Sequence, residues 1–302
     1  MPWPRRSLLR PNRKQRPRKK VKKNLSKSLK YPAVAASAAI VCVLGLFILY
    51  DEGVFGNLRF KGIPSLEKVV FEDLVSPEDP VFCSDLMVVS KDHPLPEDFE
   101  ADVVFYKDTD VLMERHTAEA YGALSAYISE EFDDKLYVSS TYRTYEEQER
   151  IYGEEGGEIA ALPGMSEHQT GLALDVYVMF FAGAGFTDSP VGRYVNSDCG
   201  DYGFIIRYPM GKEDITGFGY EPWHIRYVGF PHAKIMGQYG LTLEEYVELF
   251  DIGEWYSCDG YLISRREKDD LKVPAQYSDN DMIISPDNEG YIFVTIEIDG
   301  VK

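Results

Sequence analysis

Two short segments of this 302-residue chain concentrate side chains that bind metal ions and transfer protons. The first reads Ser-Glu-His-Gln-Thr-Gly-Leu-Ala-Leu-Asp over Ser166–Asp175, and the second reads Glu-Pro-Trp-His over Glu221–His224. Together they contain two of the five histidines in the chain. A fold that uses both segments in one site has to bring them together across all the residues between them.

The spacing within each segment predicts how its side chains are presented. His168 and Asp175 lie seven residues apart with a glycine between them, which favours a turn followed by a strand. Pro222 biases Glu221 away from the helical region, so the second segment is expected to bend into a strand near His224. Two imidazoles and one short carboxylate are donors that catalytic zinc accepts. The longer Glu221 side chain suits a base acting on a water molecule.

Each of these residues also has an ordinary structural interpretation. A histidine with an aspartate further along the chain is common in proteins without a metal. Trp223 and Tyr227 could simply pack His224 into a core, and Arg143 could belong to a surface ion pair. The remaining histidines are predicted to have structural roles: His93, His116 and His232.

The N-terminal region has the composition of a membrane anchor. The first thirty residues contain thirteen Lys or Arg and no Asp or Glu, and the nineteen residues of Pro32–Tyr50 carry no charge. That length is about what a helix needs to cross a bilayer. A cleaved signal peptide is the alternative, but this run ends in bulky residues rather than a small-residue cleavage site. We therefore expect a cytoplasmic tail over residues 1–31, a single transmembrane anchor over 32–50, and a catalytic domain outside the cell.

The charge of the region after the anchor excludes nucleic acid as a partner. The formal charge of the whole chain is −18, with 32 Lys and Arg and 50 Asp and Glu. Without the thirteen basic residues of the tail, 19 remain against 50 acidic ones, a net charge of −31. Phosphate binding needs clustered Lys and Arg.

The number of cysteines after the predicted anchor permits one disulfide bond. Cys42 lies in the predicted anchor, and three cysteines follow it. An odd number permits one bond and one free thiol. Cys83 and Cys258 flank the predicted core and could be bonded to each other, whereas Cys199 is expected to be a buried free thiol.

The hydrophobic pattern predicts an α+β fold, with a small antiparallel sheet and flanking helices. Apolar residues at helical spacing mark residues 117–132, and a capping box starts a second helix at Thr144 that runs through 151. Alternating residues predict strands over 135–140, 172–178 and 223–228. The predicted order is a juxtamembrane stalk over 51–85 with room for one strand, the main domain over 86–250, and a β-rich C-terminal appendage over 251–302.

Over residues 86–250 the chain resembles the zinc D-Ala-D-Ala carboxypeptidases of the VanY family, which share a fold with the hedgehog signalling domain. One motif departs slightly, with Thr141 where a glycine often precedes the tyrosine, which leaves the following arginine in place. The resemblance rests on five motifs in order: KDHPLPEDF over Lys91–Phe99, TYRTYEEQ over Thr141–Gln148, SEHQTGLALD over Ser166–Asp175, YGFIIRYP over Tyr202–Pro209 and GKEDITGFGYEPWHIRYVG over Gly211–Gly229.

The resemblance implies a membrane-anchored zinc D,D-carboxypeptidase that removes the terminal D-Ala from peptidoglycan stem peptides. An L,D-carboxypeptidase that acts on tetrapeptide stems is the nearest alternative. A non-catalytic zinc module that binds wall peptide or a partner protein is another, although such a module has no need of a base. The implied roles are zinc ligation by His168, Asp175 and His224, catalysis by Glu221 as base, and substrate carboxylate binding by Arg143, Gln148 and Ser166.

Overall fold

The computed structural model of this protein describes residues 66–96, 98–157 and 160–298. Its strands form two larger sheets and two strand pairs, and helices pack on them. The strands are β1 (Glu67–Val69), β2 (Leu74–Val75), β3 (Val81–Phe82), β4 (Val103–Phe105), β5 (Leu112–Glu114), β6 (Tyr137–Ser140), β7 (Ala173–Tyr177), β8 (Phe204–Ile206), β9 (His224–Tyr227), β10 (Trp255–Cys258), β11 (Tyr261–Glu267), β12 (Val273–Pro274), β13 (Met282–Pro286) and β14 (Tyr291–Glu297). The helices are α1 (Arg115–Phe132), α2 (Tyr145–Glu155), α3 (Pro190–Asp198), α4 (Glu213–Thr216), α5 (His232–Tyr239) and α6 (Leu243–Val247).

The first sheet is antiparallel, in the order β6-β7-β9-β8. Its apolar face packs on α1, whose buried Tyr121, Leu124 and Ile128 share a core with Leu174 and Ile225. These residues recur on one side of α1 because side chains three and four positions apart lie on the same helix face. The mixed α+β fold and the helix predicted over residues 117–132 are confirmed.

The second helix is longer than its pattern indicated. The Thr144 hydroxyl accepts a hydrogen bond from the backbone N–H of Glu147 at 3.1 Å, so the predicted cap forms. The helix continues past 151 to Glu155 and stops at Gly156, where φ is +81°. Within its last turns Arg150 pairs with Glu154 at 2.8 Å, the spacing that supports a helix surface.

The second sheet joins both ends of the described chain, in the order β1-β10-β11-β14-β13-β3. Residues 67–69 and 81–82, predicted as part of a stalk, supply its two edge strands. One face packs on α5 and α6, where Tyr246 and Phe250 share a core with Phe293 and with Val88. The C-terminal strands therefore share a core with the predicted main domain, and the described residues belong to one compact unit.

The disulfide left open by the sequence does not form, because Cys83 and Cys258 are both free thiols. Cys258 ends β10, whereas Cys83 follows β3 at the far edge of the same sheet. Three strands lie between them, which separates the two positions by about 19 Å at the usual strand spacing. Cys199 is buried and free as predicted, and its thiol donates to the Phe204 carbonyl at 3.4 Å.

The predicted tail, the predicted anchor and residues 51–65 of the predicted stalk lie outside the described residues. Within the part of the chain that the structure describes, no helix combines the length and the apolar composition that a bilayer crossing requires.

Candidate active site

The first segment forms a short helical turn that delivers His168 to the start of β7. Residues Glu167–Thr170 make a 3₁₀ turn that ends at Gly171, where φ is +74°. A Cβ atom at Gly171 would lie 2.7 Å from Cγ1 of Val103, which no ordinary contact allows. Glycine is therefore required here both for the left-handed conformation and for the close approach of β4.

The second segment forms the bend that its proline indicated. The Glu221 carbonyl accepts a hydrogen bond from the His224 N–H at 3.1 Å, with Pro222 at the second position of the turn. Strand β9 begins at His224. In the β7–β9 register Asp175 lies directly opposite His224, so the two segments meet across one strand pair.

His168, Asp175 and His224 converge as a candidate metal-binding trio. Nε2 of His168 is 3.4 Å from Oδ2 of Asp175, and Nδ1 of His224 is 3.1 Å from Oδ1 of Asp175. One ligand atom from each of the three lies within 4.8 Å of the others. Ligands about 2.0–2.2 Å from a tetrahedral zinc are separated by roughly 3.3–3.6 Å, so these separations are compatible with one ion.

A hydrogen bond orients the His168 ring from behind the trio, and a buried carboxylate faces the outer nitrogen of the His224 ring. Nδ1 of His168 donates to the Thr141 carbonyl at 2.9 Å, which leaves the Nε2 lone pair free. Nε2 of His224 faces the Glu167 carboxylate at 3.7 Å, which leaves its Nδ1 directed at Asp175. Oδ1 of Asp175 is buried without a hydrogen-bond donor among the described residues. Partners of this kind fix the tautomers of metal ligands, and the donor set fits a zinc ion.

Glu167 anchors the trio to a buried ion cluster. One carboxylate oxygen accepts from Nε of Arg207 and from Nη1 of Arg226, both at 2.7 Å. Arg207 also makes a two-pronged contact with Glu244 at 3.0 and 2.5 Å. Burial alone would raise the pKa of Glu167, but the two guanidinium groups hold it well below its ordinary value. Glu167 therefore remains charged beside His224.

Arg143 lies at the edge of the trio with part of its donor set unused. Its Nε and Nη2 donate to the Ser140 hydroxyl at 3.1 and 2.5 Å, and its Nη1 donates to Oε1 of Gln148 at 3.1 Å. Those bonds leave one N–H on Nη1 and one on Nη2, since guanidinium has five donors. Nη2 is 3.8 Å from Oδ2 of Asp175. Gln148 is fully buried and positions the arginine.

Glu221 faces the same cavity as the trio. Its Oε2 is 3.6 Å from Nδ1 of His224, and about 29% of its side chain is exposed. Burial raises the pKa of the Glu221 carboxyl. The cavity measures about 220 Å³, and Arg143, Ser166 and Glu221 line it together with the trio. A carboxylate, a guanidinium and the candidate metal-binding trio thus share one solvent-accessible space.

Sequence reasoning did not assign structural roles to Ser140, Arg207 or Arg226. A usable signal was present for the two arginines, because each is a charged residue inside an apolar strand run, FIIR or HIRY. A charge in such a position is buried and requires a partner of opposite sign. Ser140 gave no comparable signal. It lies opposite Asp175 in the β6–β7 register, beside a bulge that no sequence pattern marked.

Comparison with known proteins identifies a matching family and similar proteins. A family model described as VanY, D-alanyl-D-alanine carboxypeptidase, matches residues 110–230. The chain is 35% identical over 192 residues to a D-alanyl-D-alanine carboxypeptidase of Enterococcus faecium, covering 57% of this chain and 60% of that protein. It is 37% identical over 177 residues to the bifunctional D-Ala-D-Ala dipeptidase and D-Ala-D-Ala carboxypeptidase VanXYC of Enterococcus gallinarum, covering 53% of this chain and 92% of that protein.

Solved structures show the same fold. The D,D-dipeptidase VanXYg, solved with a D-Ala-D-Ala phosphinate analog, superposes with a TM-score of 0.60 at 29% identity, covering 77% of this chain and 99% of that one. The LdcB LD-carboxypeptidase superposes with a TM-score of 0.50 at 33% identity, covering 58% and 93%. Because the match to VanXYC spans nearly all of that protein, the chain belongs to the VanY family of D-alanyl-D-alanine carboxypeptidases.

Proposed function

We propose that this chain is a zinc-dependent D,D-carboxypeptidase that removes the terminal D-Ala from peptidoglycan stem peptides. The observation that carries the proposal is the position of Arg143. Among the described residues two of its N–H groups make no hydrogen bond, and its Nη2 is 3.8 Å from the carboxylate of Asp175, a member of the candidate trio. A guanidinium so close to the trio suits a peptide whose free carboxylate lies one residue beyond the bond to be cleaved.

His168, Asp175 and His224 would hold the zinc ion. When bound, zinc supplies a more acidic water and polarises the carbonyl of the scissile bond. The two imidazoles are presented to it by Thr141 and Glu167. Glu167 stays ionised beside His224 and so fixes the ring orientation that this ligation requires.

Glu221 has the position and the pKa direction of a general base. Its carboxylate borders the cavity close to His224, and burial raises its pKa towards the range in which it can both accept and release a proton. In the proposed reaction Glu221 takes a proton from the attacking water. The oxygen of that water bonds to the carbonyl carbon of the terminal peptide group, the C–N bond then breaks, and Glu221 passes the proton to the nitrogen of the departing D-Ala.

A depression that adjoins the active-site cavity supports a substrate longer than a dipeptide. A second depression of about 210 Å³ lies next to the cavity of the trio. The two share Met165, Phe218 and Glu221 in their walls, and Lys91 borders only the second. The residues that precede the scissile bond could extend into this depression, while the terminal carboxylate is held by Arg143.

The likeness to the LdcB LD-carboxypeptidase supports an L,D-carboxypeptidase as the second candidate. Mass spectrometry of purified protein incubated with a pentapeptide stem ending in D-Ala-D-Ala and a tetrapeptide stem ending in one D-Ala separates the two. Loss of one alanine from the pentapeptide is expected. Faster trimming of the tetrapeptide would favour the alternative.

The same experiment tests catalysis itself. A Glu221→Gln variant is the matched control and should leave both peptides intact. If the wild type with bound zinc binds these peptides and cleaves neither, the chain is a binding module and the proposal fails.

We further propose that residues 32–50 anchor the protein in the cell membrane with the catalytic domain outside. The uncharged run and the thirteen preceding basic residues support this topology. Protease added to intact cells should remove the acidic region and leave the basic tail protected. Secretion of a form that begins shortly after Tyr50, without added protease, would show instead that the run is a cleaved signal peptide.

A further inference from the structure

A second group of metal-ligating side chains lies outside the candidate active site. Asp85 precedes the buried segment that starts at Leu86, Glu114 ends β5, and His116 lies in the first turn of α1. One ligand atom from each of Asp85, Glu114 and His116 lies within 4.8 Å of the other two. Nδ1 of His116 is 3.7 Å from Oε1 of Glu114. Donors from two separate parts of the chain therefore meet at one point.

Asp85 is buried without a full set of partners. The residue is 3% exposed, and its Oδ1 has no hydrogen-bond donor among the described residues. Burial raises the pKa of Asp85 to about 6. His116 opposes the rise and the Glu114 carboxylate adds to it, while the Cys83 thiol and the charge of Arg226 oppose it more weakly. A buried carboxylate is costly unless it is paired or coordinates a metal.

The nearest guanidinium does not supply that pairing. Nη2 of Arg226 donates to the backbone carbonyls of Asp85 and Met87 at 3.1 and 3.0 Å. Its Nη1 donates to Glu167 and its Nε to the Tyr227 carbonyl. Every nitrogen of Arg226 is thus engaged elsewhere than at the Asp85 carboxylate.

We propose that Asp85, Glu114 and His116 form a second binding site for a divalent metal ion, separate from the active-site trio. Two carboxylates and one imidazole are donors that zinc accepts, and manganese also suits carboxylate-rich sites. Glu114 retains Oε1 for this purpose, because its Oε2 caps α1 by accepting from the Thr117 N–H at 3.0 Å. The His116 and Glu114 side chains are 33% and 15% exposed, which gives an ion access from solvent.

An ion bound by these three residues would link the segment around Asp85 to Glu114, which is hydrogen-bonded to the turn that carries His168. The Glu114 N–H donates to the Gly171 carbonyl at 2.9 Å, and Gly171 ends that turn. Through its backbone carbonyl Asp85 also holds Arg226, which binds Glu167. The role of the ion is therefore structural, since none of its three ligands lines the cavity of the candidate active site.

The test is to titrate the purified full chain with zinc and to measure binding by calorimetry. Elemental analysis after removal of free zinc then counts the ions that stay bound. The wild type should bind two zinc ions per chain, whereas the His116→Gln and Asp85→Asn variants should each bind one. His168→Ala should retain the second-site equivalent. This readout counts ions and does not depend on hydrolysis, so a failure of the proposed activity leaves it interpretable.

His93 offers a matched control. Its Nε2 is 3.7 Å from Oε1 of Glu289 and its side chain is 33% exposed, the same separation and exposure as in the His116–Glu114 pair. His93 belongs to no metal-ligating group within the described ranges. His93→Gln should therefore keep both equivalents. His116→Gln and Asp85→Asn variants that bind as much zinc as the wild type, or a His168→Ala variant that binds none, would overturn the proposal.

As an independent measure, zinc should raise the melting temperature of His168→Ala and not that of the double variant His168→Ala with His116→Gln. Equal shifts in both proteins would also count against the second site.

Discussion

Replacing Arg143 by alanine tests whether the candidate site binds the free C-terminus of a peptide. The guanidinium is held by Ser140 and Gln148 and keeps one N–H on each terminal nitrogen. Burial lowers the pKa of Arg143, but nearby carboxylates such as Asp175 oppose that change. The group is therefore a fixed cation whose remaining donors match the two oxygens of a carboxylate.

The size of the effect follows from the two unused donors. Hydrogen bonds to charged groups contribute about 1.5–3 kcal/mol each, so two give about 3–6 kcal/mol in a dry site. The Arg143 side chain is 19% exposed and the cavity is open to solvent, which weakens both. We expect Arg143→Ala to cost about 2–4 kcal/mol of transition-state stabilisation, a loss of roughly 30- to 900-fold in kcat/KM.

The assay is a two-by-two comparison of kcat/KM. Wild type and Arg143→Ala are each measured on a stem peptide with a free C-terminus and on its C-terminal amide. Amidation should impair the wild type about as much as the substitution does, and the two changes together should cost little more than either alone. Arg143→Lys should rescue poorly, because an ammonium group has no planar fork. Arg150→Ala, on the exposed face of α2, is the control and should leave kcat/KM unchanged.

Additive losses would refute this reasoning. In that case the substitution and the amidation act at different places, Arg143 does not contact the carboxylate, and cleavage within a peptide becomes possible.

Three further predictions concern the proposed general base, the buried ion pairs of Glu167 and a core histidine. Glu221→Gln should keep its zinc, because Glu221 is outside the trio, yet lose about 100- to 10,000-fold in kcat; near-wild-type turnover would place the base elsewhere. Glu167→Gln should lower the free energy of unfolding by about 3–5 kcal/mol, because the buried Arg226 loses its only carboxylate contact among the described residues. Urea denaturation checks this, with Glu154→Gln as an exposed control that changes little, and a loss below about 1 kcal/mol would contradict it. Burial lowers the pKa of His232 from 6.5 to about 3, so as the pH falls below 6.5 only the unfolded chain takes up this proton. Stability should then decline by up to about 1.4 kcal/mol per pH unit towards pH 3 on account of this residue, and equal pH slopes for wild type and His232→Gln would be the contrary result.

Much of the local structure of the site was predictable from sequence. A left-handed glycine after His168 and a proline after Glu221 each define a turn through the conformations they permit, and both turns form. The helix over 117–132 followed from its apolar spacing. In each case the cause lies within a few residues along the chain.

The position of the C-terminal strands and the partners of the charged residues depended on distant parts of the chain. Residues 67–69 and 81–82 form the edge strands of the C-terminal sheet, although their composition indicated a stalk. A strand of two or three residues forms only where a neighbouring strand offers it hydrogen-bond partners, and its own sequence does not reveal that neighbour. The same sheet order separates Cys83 from Cys258.

The sequence by itself determined which donors this protein offers and the turns that present them. Only the tertiary structure decided that Asp175 lies opposite both His224 and Ser140, which joins the candidate metal-binding trio to Arg143. It also decided that Glu167 binds Arg207 and Arg226. The physical reason is that strand register and buried ion pairs depend on contacts between residues far apart in sequence, whereas a turn depends on the conformations that its own residues allow.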